Sequence, residues 1–306
     1  MSSRIALVLL QCTIAAALAS CGGNAGQSCT ADDQCPSHFC LANDTCAPLG
    51  AVDGGGGTDG NNAHTDGGGS GTGVCTPNHD GIIEASEVPL VAGQSATFLV
   101  ATNATWNTAG SAATDNTRTW DLSGALNGDT DEQIALDTPS GTWWGSDFPT
   151  ATYATILSTS STLLGVFHVD ANEVTLLGVV SPTGAYPYTE ITYNPPAEIL
   201  ALPFQAGTTW TSSSTVTGLA DGVEVVYTEA YSSDVDEVGT MITPYGSFPV
   251  LRVRTDLTDS ESGVTTKSNR TFAWVAECFG TVAQAQSSGA ESGEFDNPAE
   301  VWRLAH

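Results

Sequence analysis

Downstream of residue 75 the chain is built from short apolar and β-branched runs separated by clusters of Gly, Pro, Asn and Asp. Runs of that length between turn formers read as strands. They predict strands at 96–102, 118–122, 133–137, 152–158, 162–169, 173–180, 190–193, 199–204, 208–217, 223–231, 239–243, 248–257, 265–276 and 281–285. Asp170-Ala171-Asn172, Ala220-Asp221-Gly222 and Pro244-Tyr245-Gly246 carry hairpin-turn chemistry. The clearest alternation lies in 248–257, where Val253 and Leu257 take one side and Arg252, Arg254 and Asp256 the other. No amphipathic helix of three or more turns stands out. The expected class is all-β, a large antiparallel sandwich or barrel-like domain over 75–306.

Residues 1–20 follow another pattern. Arg4 precedes an apolar run at 5–10 and an Ala-rich stretch at 14–18. That core falls short of the ~20 residues a permanent membrane helix needs and reads as an export signal. Leu18-Ala19-Ser20-Cys21 at its end resembles the lipobox of bacterial lipoproteins. The resemblance implies cleavage before Cys21, diacylation of its thiol and further acylation of the new N-terminus. Two or three acyl chains anchor firmly, each buried CH₂ adding about 0.8 kcal/mol. Gly22 stands where an Asp would retain the protein at the inner membrane. By the same resemblance, the expected location is the outer membrane of a Gram-negative bacterium, with either face open.

Of 8 cysteines, Cys12 leaves with the signal and Cys21 carries lipid. The remainder, Cys29, Cys35, Cys40, Cys46, Cys75 and Cys278, is even in number, as disulfides in an oxidising compartment require. Cys29 to Cys46 form a C-x5-C-x4-C-x5-C framework within a segment spanning 21–48. It resembles short disulfide modules of secreted proteins, a resemblance that implies no activity. Its pairing stays open among three connectivities. Zinc is the competing reading, but no C-x2-C pair is present. Residues 49–74, rich in Gly and Asp and without an apolar cluster, read as a disordered linker. Elimination pairs Cys75 with Cys278, the alternative being that one of them joins the small module.

Charge narrows the partners. The chain holds 7 Lys and Arg against 34 Asp and Glu, a net charge of −27. Phosphate binding relies on clustered Lys and Arg, so nucleic acid is excluded as a partner and anionic headgroups are repelled. Cations, cationic polymers and neutral sugars remain compatible, as does simple solubility.

Candidate chemistry is sparse. Thr76-Pro-Asn-His-Asp-Gly-Ile-Ile-Glu-Ala-Ser-Glu87 resembles an EF-hand calcium loop. That resemblance implies Ca²⁺ held by Asn78, Asp80, the Ile82 carbonyl, Glu84 through water and a bidentate Glu87. Thr76 departs from the pattern at the first ligand, and no flanking helices are evident. The alternative is an Asp-Gly turn leading into a short helical cap at 84–88. Trp143-Trp144, with Tyr186 and Tyr188, could form a platform for sugars, and a β domain on a tether resembles carbohydrate-binding modules in architecture. Core packing is the competing role for these rings. Residues 195–254 are similar to uncharacterised secreted bacterial β domains, through Pro203–Trp210 and Gly239–Phe248, with no known catalytic residue.

No G-x-S-x-G, H-E-x-x-H, P-loop or C-x-x-C occurs, and His168 beside Asp170 is the only strand histidine. The expectation is therefore a non-catalytic envelope lipoprotein with no catalytic residue and a binding, adhesive or structural role. An amphiphile carrier would require a sizeable apolar cavity. A glycan-binding or glycan-hydrolysing protein would require, for hydrolysis, two carboxylates at glycosidase separation.

Overall fold

At the hairpin between the strands Thr209–Ala220 and Val223–Ile242, Asp221 and Gly222 adopt φ of 50° and 75°, the left-handed conformations that a tight hairpin demands and that Asp and Gly tolerate. The Asp170 carboxylate accepts from the amides of Asn172 (2.7 Å) and Glu173 (3.1 Å), closing the turn between the strands Leu164–Val169 and Glu173–Val180. The computed structural model describes residues 75–113 and 117–306. Its strands are β1 (Ile82–Ile83), β2 (Ser95–Thr102), β3 (Ser111–Ala112), β4 (Arg118–Asp121), β5 (Thr130–Ala135), β6 (Tyr153–Ile156), β7 (Leu164–Val169) and β8 (Glu173–Val180). They continue with β9 (Glu190–Ala201), β10 (Phe204–Gln205), β11 (Thr209–Ala220), β12 (Val223–Ile242), β13 (Ser247–Glu261), β14 (Val264–Ala276), β15 (Gly280–Gln286) and β16 (Glu300–Leu304). The signal, Cys21, the module with Cys29, Cys35, Cys40 and Cys46, and the linker at 49–74 lie outside the described residues.

Fourteen strands form one sheet in the order β5-β2-β16-β15-β14-β13-β12-β11-β9-β8-β7-β6, with β4 added parallel to β12 and β3 paired to β4. Every consecutive pair along that path is antiparallel. The path nearly closes. Just beyond β5, Asp137 bridges Ala154 of β6 through two backbone hydrogen bonds of 2.7 and 2.9 Å. The domain is all-β and barrel-like, as the alternation predicts.

Alternation assigns the two faces. Phe98, Val100, Trp302, Val253, Leu257, Tyr231, Val216, Tyr193 and Phe167 are buried on the inner face. The outer face is covered in two places. Over β13–β15, Trp120 of β4 and Trp106 and Phe295 from connecting segments pack edge-on or stacked against Trp274 and Phe272, with centroids 5.5 to 5.6 Å apart. Over β6–β8, Trp144 and Phe148 cover Ala154, Leu164, Val166 and Val180. Gly178 is required there, since a Cβ at that position would lie 2.4 Å from the Phe148 ring.

Beyond the two-residue strands β1 and β3, which are not predicted, three longer elements differ from the sequence expectation. Strand β9 runs from Glu190 straight through Pro195 and Pro196, where two strands are predicted. Prolines are tolerated there because β11 pairs with β9 only through Asn194. Strand β12 is continuous over 20 residues, although its acidic middle reads as a loop. Asp234 and Asp236 point outward there and are held by Arg254 and Arg252 of β13. Strand β16 is not predicted at all, because Glu300 and Arg303 interrupt its apolar pattern; both are buried and ion-paired or hydrogen-bonded.

Candidate functional site

The segment Tyr227-Thr-Glu-Ala-Tyr231 places three polar side chains at alternate positions of β12, where period-two geometry sends them all to the inner face. Antiparallel register then builds the cluster. Glu229 stands opposite Ser214 of β11 on one side and Asp259 of β13 on the other. Asp259 in turn faces Lys267 of β14, the chain's only lysine. Tyr227 is reached through Val216 by Tyr193 of β9. Leu257, opposite Tyr231, leads to Asn269. Strand pairing alone therefore brings two carboxylates, three phenols, a hydroxyl, an amide and an ammonium onto adjacent rungs.

Glu229 is 0% exposed. Its Oε2 accepts a 2.6 Å hydrogen bond from the Tyr231 hydroxyl. Burial pushes the carboxyl up to about 7, and the like charge of Asp259 adds to the rise; Tyr231, Tyr193 and the Lys267 charge pull the other way. Burial also raises Asp259, against the opposing pull of Lys267. Tyr193, Tyr227 and Tyr231 are all shifted upward, first by burial and then by the Glu229 charge. Six buried atoms here make no hydrogen bond of ordinary geometry within the protein: Glu229 Oε1, Asp259 Oδ1, Asn269 Oδ1, Ser214 Oγ and the hydroxyls of Tyr193 and Tyr227, although the two phenols stand close enough to the Glu229 carboxylate to act on it. A buried polar atom left unpartnered costs about 1–3 kcal/mol, and further such atoms lie on β14–β16, among them Gln284 Nε2 and Oε1, Gln286 Nε2 and Thr271 Oγ1.

The cluster lies toward one end of the barrel, where the β6–β7, β8–β9, β11–β12 and β13–β14 connections gather. At the same end a cleft of ≈ 360 Å³ is lined by Leu163, Ser181, Pro182, Thr183, Pro187 and Asp221, among others. Trp143 borders the β8–β9 connection: its Nε1 donates to the Ser181 carbonyl (3.0 Å) and its ring meets Tyr188 edge-on at 5.1 Å. Tyr186 stands 76% exposed on the same connection.

The residues predicted for chemistry are distributed differently from the sequence expectation. Trp143 and Trp144 do not form a joint platform, because Trp144 points into the core beside Phe148 at 6.3 Å. Trp143, Tyr188 and Tyr186 do gather at the barrel end. The calcium-like segment forms an Asp80-Gly81 turn, β1 and a 3-10 helix at Ala85–Glu87, and Ile82 pairs with Gln205 of β10. Asp80 Oδ1 accepts from the Ile82 amide (2.8 Å), and Glu87 Oε2 accepts from the Glu84 amide (3.0 Å) as a cap. No helix flanks the loop among the described residues, where no group of three or more His, Cys, Asp or Glu converges on a metal position. Thr76 lies in coil before this turn. Cys75 and Cys278 are both disulfide-bonded. His168 Nδ1 lies 2.7 Å from the Thr150 carbonyl, 18 residues earlier.

The Glu229 cluster is absent from the sequence expectation. Its signal is the Tyr-x-Glu-x-Tyr alternation, which places a carboxylate on the same strand face as two aromatic rings.

No protein-family model matches the chain, and no curated protein matches it. Among solved structures, it is similar to the hypothetical lipoprotein YmcC from Escherichia coli (K12). The likeness has 12% identity and a TM-score of 0.33, and covers 69% of this chain and 83% of that one.

Proposed function

We propose that this chain is a lipid-anchored protein of the bacterial outer membrane whose barrel-like domain binds a polar ligand and carries out no catalysis. The anchor rests on Leu18-Ala19-Ser20-Cys21. The binding reading rests on one observation: the set of buried, unpartnered oxygens around Glu229. Water or a ligand must complete those groups, and a binding protein uses such a set for specificity. An acyl chain laid against them would leave two carboxylates unpaired, which counts against the amphiphile carrier. A polymeric glycan cannot reach a carboxylate of 0% exposure, which counts against hydrolysis of one by this pair. A second reading, glycan contact at the rim, is favoured by Trp143, Tyr188 and the exposed Tyr186 beside the cleft.

Two measurements test the proposal. Fractionation of cells carrying Cys21→Ser is expected to move the protein from membrane to soluble fraction; unchanged attachment would remove the anchor. Native mass spectrometry of the mature protein in mild detergent is expected to show a non-covalent adduct that is lost on denaturation. An adduct that survives Glu229→Gln unchanged would place the ligand elsewhere. For the rim reading, soluble oligosaccharides should quench tryptophan fluorescence in the parent protein and not in Trp143→Ala.

A further inference from the structure

The cleft beside the β8–β9 and β11–β12 turns offers ≈ 360 Å³ open to solvent, within the size that holds small ligands. Its polar lining is set in advance by the backbone. The Ser181 hydroxyl oxygen accepts from the Thr189 amide (2.8 Å), and the Thr189 hydroxyl oxygen accepts from the Asp221 amide (3.0 Å). Each oxygen is thereby fixed while its O–H stays able to donate. Thr189 is 4% exposed, so its donor sits at the floor of the cleft. Thr162 and Thr183 add further hydroxyls, and Asp221 is the one charged residue of the lining. The ring beside Asp221 is also held in place. Tyr186 is largely exposed, yet it lies against Gly222, where a Cβ would come within 2.7 Å of the ring.

Hydroxyls that both donate and accept, one carboxylate and an open aromatic ring match a sugar, which presents hydroxyls at its edge and C–H groups on its faces. A phosphate or carboxylate would instead meet Asp221 and no cation in the lining, on a chain of net charge −27. Access fits a polymer. The His79 amide bonds Glu277 beside the β14–β15 turn, so the domain begins at the end of the barrel opposite the β11–β12 and β13–β14 turns. The 13 residues of β14 separate those ends by about 40 Å. The cleft end is therefore clear of the point where the chain enters.

We propose that this cleft holds one unit of a neutral saccharide, its hydroxyls bonded by Ser181, Thr189 and Asp221 and its C–H face laid on Tyr186. The inference rests on the rim-contact reading above and gives it a site and a ligand charge. Trp143 acts here as a positioning residue. Its Nε1 is committed to the Ser181 carbonyl, and its ring supports Gly184, where a Cβ would stand 3.0 Å away.

The test titrates the full mature protein by NMR with maltotriose, cellotriose, galactotriose and tri-N-acetylchitotriose, and with trigalacturonate as an anionic counterpart. At least one neutral probe is expected to bind in the millimolar range or tighter, and trigalacturonate at least about tenfold more weakly. Asp221→Asn should weaken the neutral probe about tenfold, and Tyr186→Ala roughly fivefold. Both side chains are exposed, and Asn keeps the left-handed φ of position 221, so Tm should hold in each variant. Trigalacturonate binding as tightly as the neutral probes would overturn the charge assignment. A neutral probe lost in Trp143→Ala but unaffected by Asp221→Asn and Tyr186→Ala would overturn the cleft assignment and leave rim contact standing. Failure of every probe to bind would overturn the rim reading together with this inference.

Discussion

Glu229 of β12 and Asp259 of β13 stand directly opposite one another across two antiparallel strands, facing the inside of the barrel. Burial disfavours the ionised form of Glu229, and the like charge of Asp259 adds to the effect. The Glu229 carboxyl is raised from its ordinary 4.5 to about 7. Between those values the folded protein holds a proton that the unfolded chain has released. Stability therefore falls as pH rises from 4.5, and the loss is complete above 7. The integrated effect is roughly 3 kcal/mol. Urea unfolding at pH 5 and pH 8 should show this drop in the parent protein and a smaller one in Glu229→Gln. Asp236, Asp259 and Glu198 are shifted in the same direction, so the quantity to read is the difference between the two proteins.

Arg252 is a structural counterpart on the opposite face. Its guanidinium is bidentate to Asp236 (2.9 and 3.0 Å), bonds Glu294 (2.7 and 3.2 Å) and the Thr108 carbonyl (2.9 Å), and lies 4.2 Å over the Phe272 ring. Removing it strands two carboxylates against an aromatic layer. Arg252→Ala should lose about 3–5 kcal/mol in denaturant unfolding. Arg252→Lys should recover little, because an ammonium cannot reproduce the planar fork.

Cys75 and Cys278 are both oxidised. The His79 amide donates to Glu277 (2.8 Å) and the Cys278 amide to the Glu87 carbonyl (2.8 Å), which seats the start of the domain beside the β14–β15 turn. Non-reducing peptide mapping is expected to recover one linked pair, Cys75 with Cys278. Closing a loop of about 200 residues contributes about 5 kcal/mol on the chain-entropy model. The double variant Cys75→Ala/Cys278→Ala should show that loss as a lower Tm.

Two glycines separate close approach from mere turn position. A Cβ on Gly239 would lie 1.9 Å from the Arg118 carbonyl oxygen, where β4 joins β12 in parallel. Gly239→Ala should cost roughly 1–3 kcal/mol by forcing β4 away. Gly246 has nothing within 4 Å of the same position, so Gly246→Ala should leave Tm nearly unchanged.

Much of the fold was legible in the sequence. Period-two alternation in 248–257 gives the two faces of β13, and Asp-Ala-Asn, Ala-Asp-Gly and Pro-Tyr-Gly stand at turns. Legibility ended where a long-range partner decides the outcome. Asp234 and Asp236 look like loop residues until Arg252 and Arg254 are seen 16 to 20 residues away. Glu300 and Arg303 break an apolar pattern that only their partners, Thr159 and Asp129, restore. Glu229 was missed for the same reason. Its neighbours on β9, β11 and β13 are brought to it by register, and a single chain does not print register. The aromatic pair Trp143-Trp144 was legible as a feature, but alternate burial sends one ring to the core and the other to the rim.

The bridge between Asp137 and Ala154 has a further consequence. An open sheet of this size would end in two rows of unsatisfied amides and carbonyls, each a template for another copy of the chain. Under the lipid-anchored reading proposed above, copies of the chain share a surface, and their crowding would make such templating frequent. Bringing the two sheet ends together, with Asp131 and Glu132 charged along β5, leaves little exposed ladder to recruit a neighbour. The seam is thus a safeguard against fibre-like stacking, built from two hydrogen bonds at the place where the protein would otherwise be most adhesive to itself.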